Sequence, residues 1–329
     1  MRIVSGIQPT GNLHLGNYLG AIRNWVKMQD EAESLYFLAD LHAISMPYDP
    51  AVLTANTREM AAALVASGID PDKAILFNQA RVPAHSQLQW LLTGTARMGW
   101  LKRMTQFKDK SGKNSEGASI ALFTYPVLQA ADVLLYQATH VPVGDDQKQH
   151  LELARDIAQK FNNDFGETFT LPDPIVPPGA ARIMSLRDGN VKMSKSDPSD
   201  MSRINLSDDA DTIMQKVRKA RTDPEPLPSE PAGLEGRAEA RNLVDIYGAL
   251  TDQKVEAVLQ RFGGQGFGSF KPALGELMVE TLRPISTRFV ALKDDVTAMD
   301  QILIKGAEKA AVLAEPTLSA TYAALGLAR

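Results

Sequence analysis

Gln8-Pro9-Thr10-Gly11-Asn12-Leu13-His14-Leu15-Gly16-Asn17-Tyr18-Leu19-Gly20 is the stretch on which the reading of the chain turns. Before it, Arg2 to Ile7 carries Ile3, Val4 and Ile7, the pattern of a short buried strand. After it, Leu15, Leu19, Ile22 and Val26 recur at spacings of four, three and four, one face of an amphipathic helix. The stretch is therefore a strand-to-helix turn, punctuated by Pro9, Gly11 and Gly16. Gly16 and Asn17 fall where free backbone N–H groups and the positive end of the helix dipole favour an anion. His14, a turn earlier, can donate to phosphate oxygens. An ordinary glycine-rich turn with a surface histidine fits the same residues, and the stretch alone leaves both readings open.

Working outward, strands and helices alternate. Leu35 to Ala39 is a second apolar strand that runs into Asp40 and His42. Asp49 is an N-cap with Pro50 at the first helical position, and Gly68 closes that helix. Ala74 to Phe77 is a third strand, and Leu88, Leu91 and Leu92 mark the next helix. Lys108 to Gly117 is rich in Lys, Ser and Gly without periodicity, which predicts a mobile loop. Val141 to Val143 is a fourth strand, followed by a helix bearing Gln147, Leu151, Ala154, Ala158 and Phe161. Repeated βα units predict an α/β fold with a Rossmann-like, doubly wound parallel sheet. Ligands of such sheets sit at the C-terminal strand ends, where Gln8, Asp40, His42 and Gly144 fall.

From about residue 208 the character changes. Asp208 is expected to cap a helix bearing Ile213 and Val217. Thr222 to Gly236, with Pro224, Pro226, Pro228 and Pro231, reads as a linker. Beyond it only helical spacings occur, such as Leu243, Ile246 and Leu250. The division predicted is a catalytic Rossmann-fold domain at 1–204 and an all-helical domain with a C-terminal helix at 205–329.

Composition narrows the function. The 329 residues are 44% hydrophobic and 22% charged, as in soluble globular proteins. No run is long enough to span a bilayer, and the start lacks the basic and apolar regions of a signal peptide. Cysteine is absent, which removes disulfides, thiolate metal sites and thiol nucleophiles, and fits a cytoplasmic enzyme. The five histidines show no metal-binding spacing, so no metal is expected on protein side chains. The net charge of −4, from 35 basic and 39 acidic residues, makes any nucleic-acid contact local. Two basic clusters are candidates, Arg97 to Lys113 and Lys216, Arg218, Lys219 and Arg221, although a solvated helix face explains either as well.

Two further patterns carry chemistry. Lys192-Met193-Ser194-Lys195-Ser196 follows a predicted strand, Arg182 to Leu186, and an Asp188-Gly189-Asn190 turn. Two lysines with two hydroxyls in a loop can neutralise a polyphosphate. Tyr125, Gln129, Asp132 and Tyr136 stand at i, i+4, i+7 and i+11 of an otherwise apolar segment. A carboxylate there is costly unless something donates to it, either a core partner or a substrate's ring N–H.

His14-Leu15-Gly16-Asn17 resembles the His-Ile-Gly-His signature of class I aminoacyl-tRNA synthetases, and residues 192–196 match their Lys-Met-Ser-Lys-Ser signature. Over its whole length the chain resembles the bacterial tryptophanyl-tRNA synthetases. Asn17 replaces the second histidine of the signature; it can hydrogen-bond ATP but cannot carry charge. Adenylate formation needs alignment and positive charge on the leaving pyrophosphate rather than a nucleophile, and the resemblance assigns this to His14, Lys192 and Lys195. It implies an ATP site of Gln8, Pro9, Thr10, Gly16, Asn17, Gly144, Asp145, Asp146, Ile183, Lys192, Met193, Ser194, Lys195 and Ser196, joined by Gln106 and Lys110. It implies a tryptophan site of Asp132, Tyr125, Gln129, His42, Gln147, Val4, Val141 and Val143. ATP with Mg²⁺, L-tryptophan, tRNA(Trp) and a homodimer are implied by it as well, with the helical domain reading the anticodon.

The tyrosyl enzymes are the rival, because a phenol O–H also donates to Asp132 and they share the Tyr-x-x-x-Gln-x-x-Asp spacing seen here. Val4, Gln8, the signature itself and the Asp146 to His150 run favour tryptophan. An adenylate-forming paralogue that serves as a binding or regulatory protein remains a further alternative.

Overall fold

The computed structural model describes residues 1–11, 13–104, 117–144, 147–175 and 182–328. Among the described residues, five parallel strands form one sheet in the order β3-β2-β1-β4-β5: β1 Arg2–Ile7, β2 Glu33–Leu38, β3 Ile75–Asn78, β4 His140–Pro142 and β5 Asp173–Ile175. Val4 lies opposite Leu35 and Gly6 opposite Phe37, while β1 meets β4 through Ile3 and His140. The chain moves outward from β1 through β2 to β3, then crosses to β4 on the other side. The crevice beyond the C-terminal ends of β1 and β4 is therefore the switch point where doubly wound sheets bind ligands.

The helices are α1 Leu15–Asn17, α2 Arg23–Met28, α3 Asp40–Ala43, α4 Pro50–Ala66, α5 Ala84–Thr93, α6 Met98–Lys102, α7 Ile120–Leu134 and α8 Lys148–Phe165, then α9 Ala210–Arg218, α10 Ala238–Thr251, α11 Val255–Phe262, α12 Phe267–Asp294 and α13 Val296–Ala324. The predicted first helix begins as the single turn α1, widens over Tyr18–Ile22 and continues as α2. Asp49 caps α4 as expected, accepting from Ala51 N at 2.8 Å. Leu15, Leu19 and Ile22 pack under one face of the sheet with Leu64 of α4 and Leu274 and Met278 of α12. The other face is covered by α7 and α8 and by Ala307, Ala310, Ala314 and Leu318 of α13. Full burial of each larger aliphatic side chain contributes about 1.5–3 kcal/mol.

Helix α13 lies along β3 and α5, so the last helix completes the first half of the chain. A Cβ built on Gly306 would stand 1.8 Å from Leu76 O, so only glycine permits this approach.

Two local expectations are corrected, and one strand comes with no signal. Arg182 to Leu186 is no strand; Met184 makes a single bridge to Lys192. The Asn242 side chain takes its other backbone groups, accepting from Met184 N at 2.9 Å and donating to Met184 O at 3.0 Å. The cap of α9 is Asp209, which accepts from Thr212 N at 2.7 Å, because Asp208 is turned toward Asn205 N at 2.9 Å and Lys216. Strand β5 is not apparent in the sequence: it has three residues with Pro174 at its centre, a composition confined to sheet edges.

Candidate active site

The site is built from the segments that leave the C-terminal end of each strand. After β1, the backbone turns at Pro9 and Gly11 and places His14 ahead of α1. Leu15 N donates to Ile204 O and Leu206 N to Leu13 O, both at 2.8 Å, so an antiparallel strip that pairs His14 with Asn205 closes over the turn. A Cβ on Gly16 would come within 3.1 Å of the His14 ring, which explains the glycine beside it. The expected free amide at Asn17 is not free: Asn17 N donates to His14 O at 2.8 Å, and Asn17 Oδ1 accepts from His14 N at 3.1 Å. The turn thus presents the His14 ring, with the Asn17 amide already bonded within it.

His14 is buried, and its Nδ1 has no hydrogen-bond partner. Burial first, then the charges of Arg203, Lys195 and Lys192, hold its pKa down to about 4. At neutral pH the ring is uncharged, and its N–H can still donate to a phosphate oxygen. The charge comes from the signature loop. Lys195 Nζ donates to Thr10 O at 2.7 Å, and burial lowers its pKa to about 8. Lys192 and Ser196 are exposed, while Ser194 and Lys195 are half-buried. Met193 N donates to Ile183 O at 3.0 Å, and the Ile183 and Met193 side chains are both almost fully enclosed. Gln8 and Thr10 are exposed, and Gly144 stands exposed just past β4 across the crevice, whereas Pro9 is buried. Gln106, Lys110, Asp145 and Asp146 lie outside the described residues.

Deeper in the crevice a buried carboxylate collects three donors. Asp132 Oδ1 accepts from Gln79 Nε2 at 2.5 Å and His85 Nδ1 at 2.7 Å, and Oδ2 is 2.7 Å from His42 Nε2. His85 Nε2 is 2.7 Å from Tyr136 OH. With Nδ1–H donated to the carboxylate, the ring's other nitrogen is left facing the phenol, so Asp132 and Tyr136 fix the ring's orientation between them. Burial pushes the Asp132 pKa up, but His42 and His85 outweigh it and hold it down to about 2. At neutral pH Asp132 is an anion that only accepts.

Beside this cluster, the Tyr125 ring meets His42 edge-on at 6.1 Å, and its hydroxyl lies 2.9 Å from His150 Nε2. Burial raises the Tyr125 pKa to about 12, so it is a phenol. Gln129 Nε2 donates to Gln147 Oε1 at 3.2 Å. Val141 and Val143 are buried next to α7, and Val4 is wholly enclosed in the same core. The expected four-residue face thus divides: Asp132 and, just past the end of α7, Tyr136 share one network, while Tyr125 meets His150 and Gln129 meets Gln147.

Gln79, His85 and His150 escaped the sequence reading. Gln79 and His85 come after the end of β3 as His42 comes after β2, so the strand-end rule that singled out His42 was available for both. His150 carried no such signal.

Residues 1–283 match the model of the family described as tRNA synthetases class I (W and Y). The chain belongs to that family. Among relatives of this synthetase, a tryptophan–tRNA ligase from Caulobacter vibrioides is 59% identical over 320 residues, covering 97% of this chain and 93% of its own. The structure of a tryptophanyl-tRNA synthetase from Mycoplasma pneumoniae superposes with a TM-score of 0.87 at 34% identity, covering 100% of this chain and 98% of that one. One from Campylobacter jejuni, solved with ADP and tryptophan, gives 0.83 at 35% identity, covering 99% of this chain and 100% of that one.

Proposed function

We propose that this class I synthetase is a tryptophan–tRNA ligase, which activates L-tryptophan with ATP and passes it to tRNA(Trp). The observation that carries the reading is near full-length identity of 59% with a tryptophan–tRNA ligase, in a chain whose site brings His14, the signature lysines and a buried acceptor carboxylate to one crevice. In the first step an oxygen of the tryptophan carboxylate bonds to the α-phosphorus, and the bond from that phosphorus to the bridging oxygen breaks. Pyrophosphate leaves with that oxygen. Lys192 and Lys195 neutralise the departing charge, and the neutral His14 donates a hydrogen bond. In the second step a ribose hydroxyl at the 3′ end of the tRNA attacks the acyl carbonyl and AMP leaves.

In our reading the ATP phosphates lie between the 8–17 turn and the 192–196 loop, Gly144 lets the backbone approach the nucleotide, and Asp145 is assigned to the nucleotide, Asp146 to its ribose, and Gln106 and Lys110 to the phosphates. Ile183 and Met193 back the adenine. Mg²⁺ enters as part of the substrate. Among the described residues no group of His, Asp or Glu could hold a metal ion, and the side chains about the phosphates are cationic. The indole enters beside Tyr125, Gln129, Gln147, Val141 and Val143, and its N–H takes the acceptor position left on Asp132.

In our reading residues 1–204 serve as the catalytic domain and 205–329 as the helical domain that reads the anticodon, except that the 205–206 strip and α13 pack on the catalytic part. Trp90, Met98 and Ile120, exposed on α5, α6 and α7, are the apolar surface we assign to a homodimer. No described helix is long and apolar enough to cross a membrane, and we place the enzyme in the cytoplasm. Amino-acid-dependent ATP–pyrophosphate exchange, run with tryptophan and with tyrosine, tests the reading. Exchange with tryptophan alone is expected. Exchange with tyrosine alone overturns the specificity, and exchange without charging of tRNA overturns the ligase.

A further inference from the structure

Lys216 belongs by sequence to the basic run that ends in Arg221, a candidate contact for RNA phosphates. The fold puts it elsewhere. Its side chain is only 1% exposed, and its Nζ lies 2.6 Å from Asp208 Oδ2 and 2.6 Å from Asp200 Oδ2. An ammonium so enclosed cannot reach an RNA backbone, and it is tolerable only because two carboxylates meet it.

What those carboxylates hold is the active-site side of the chain. Asp200 stands just beyond the signature loop, and its Oδ1 accepts from Asn205 Nδ2 at 3.0 Å and pairs with Arg203 at 3.1 Å. Arg203 also donates to Asp197 O at 2.9 Å, at the exit of the signature. Asp208 Oδ2 accepts from Asn205 N at 2.9 Å. Asn205 is the residue paired with His14, between the backbone bonds that tie residues 204 and 206 to 15 and 13. One ammonium on α9 therefore anchors both the end of the signature loop and the strip that lies against His14. The Lys216 hydrogen bond is also the leading cause that keeps the Asp200 carboxyl below its usual range.

We infer that Lys216 is a positioning residue for adenylate formation, acting through Asp200 and Asp208 to hold the signature lysines at a fixed distance from His14. The inference rests on the adenylate-forming reading above. Its test uses the full-length chain, with Lys216→Met, Lys216→Arg, Asp200→Asn and the Met/Asn double variant. Tryptophan-dependent pyrophosphate exchange, tryptophan affinity, tRNA affinity and melting temperature are measured on each.

A misplacement of about 1 Å costs on the order of 10²-fold in rate, so kcat for exchange is expected to fall ~10–100-fold in Lys216→Met. Tryptophan and tRNA affinities stay within about twofold. The double variant loses no more than the worse single one, since both cut the same link. Lys216→Arg recovers part of the rate. An exchange rate per folded molecule that matches wild type in Lys216→Met overturns the inference, whatever the melting temperature does. So does a tenfold loss of tRNA affinity with exchange intact. Should Lys216→Met not fold, the half-exposed Asp200 carries the test: wild-type exchange in Asp200→Asn overturns the inference. Absence of exchange in the wild type would instead sink the adenylate reading itself.

Discussion

Asp132→Asn probes the acceptor that we propose for the indole N–H. An ionised carboxylate offers about four acceptor positions. Gln79 and His85 occupy Oδ1 and His42 occupies one position of Oδ2, so the position left lies on Oδ2. An amide at 132 must turn its NH₂ toward one side of this cluster. Keeping oxygen where two donors converge is the cheaper choice, and His42 can accept from the NH₂ by moving its proton to Nδ1. The ligand N–H then faces an N–H. One charge-assisted hydrogen bond, about 1.5–3 kcal/mol, disappears from tryptophan binding, which is a ~10–150-fold rise in Kd. An analogue with sulfur in place of the ring N–H never made that bond, so its affinity is expected to change by less than about threefold. Calorimetric titration of both ligands into wild type and variant at pH 7 measures the ratio. If the preference for tryptophan over the sulfur analogue is the same in both proteins, Asp132 does not accept from the ring and the pocket has been misread.

The same geometry sets further expectations. Lys195→Ala is expected to lower kcat for pyrophosphate exchange ~10²–10³-fold while tryptophan affinity holds, because its charge is needed as pyrophosphate departs; equal losses in both would make it a plain binding residue. Burial lowers the Lys195 pKa to about 8, so the charged form is lost as pH rises through that value, and kcat/KM for ATP is expected to decline above it. His14, with a pKa of about 4, is neutral throughout the physiological range, so an inflection near 6.5 that vanishes in His14→Asn would refute its assignment as an uncharged donor. Gly306→Ala would drive a methyl into Leu76 O, a destabilisation of about 1–3 kcal/mol or more, visible as a lower melting temperature with exchange per folded molecule unchanged. An undiminished melting temperature would show that α13 does not rest on β3 as described.

Whether a feature was legible in the sequence depended on how local its cause is. The β1 turn, the Asp49 cap and the helical face of α8 depend on residues within a few positions of one another, and all were readable. The signature lysines were singled out by their resemblance to the class I signature; alone, such a pentapeptide could be a surface loop. The partners of Asp132 were half readable: the need for a donor follows from burial, but Gln79 and His85 arrive from β3 and α5, more than forty residues away in the chain. Lys216 resembles surface charge because its neighbours on α9 give no sign that Asp200 reaches back to it. His14 reads as a phosphate donor, but that its ring is held far from carrying a charge follows only from its burial and the nearby charges of Arg203, Lys195 and Lys192. Spacing reveals periodicity; it does not reveal which distant charges share a site.

The seat of α13 on β3 has a consequence for how the molecule is made. β3 is an edge strand, and residues 296–324 are what cover it. A ribosome delivers β1, β2 and β3 long before that cover exists. During synthesis the growing chain carries a strand edge with backbone groups open to pairing with other chains. The catalytic half therefore cannot finish folding vectorially, and waits for the other end of its own sequence. Loss of the last helix in a truncated transcript would strike first at one of the earliest strands made.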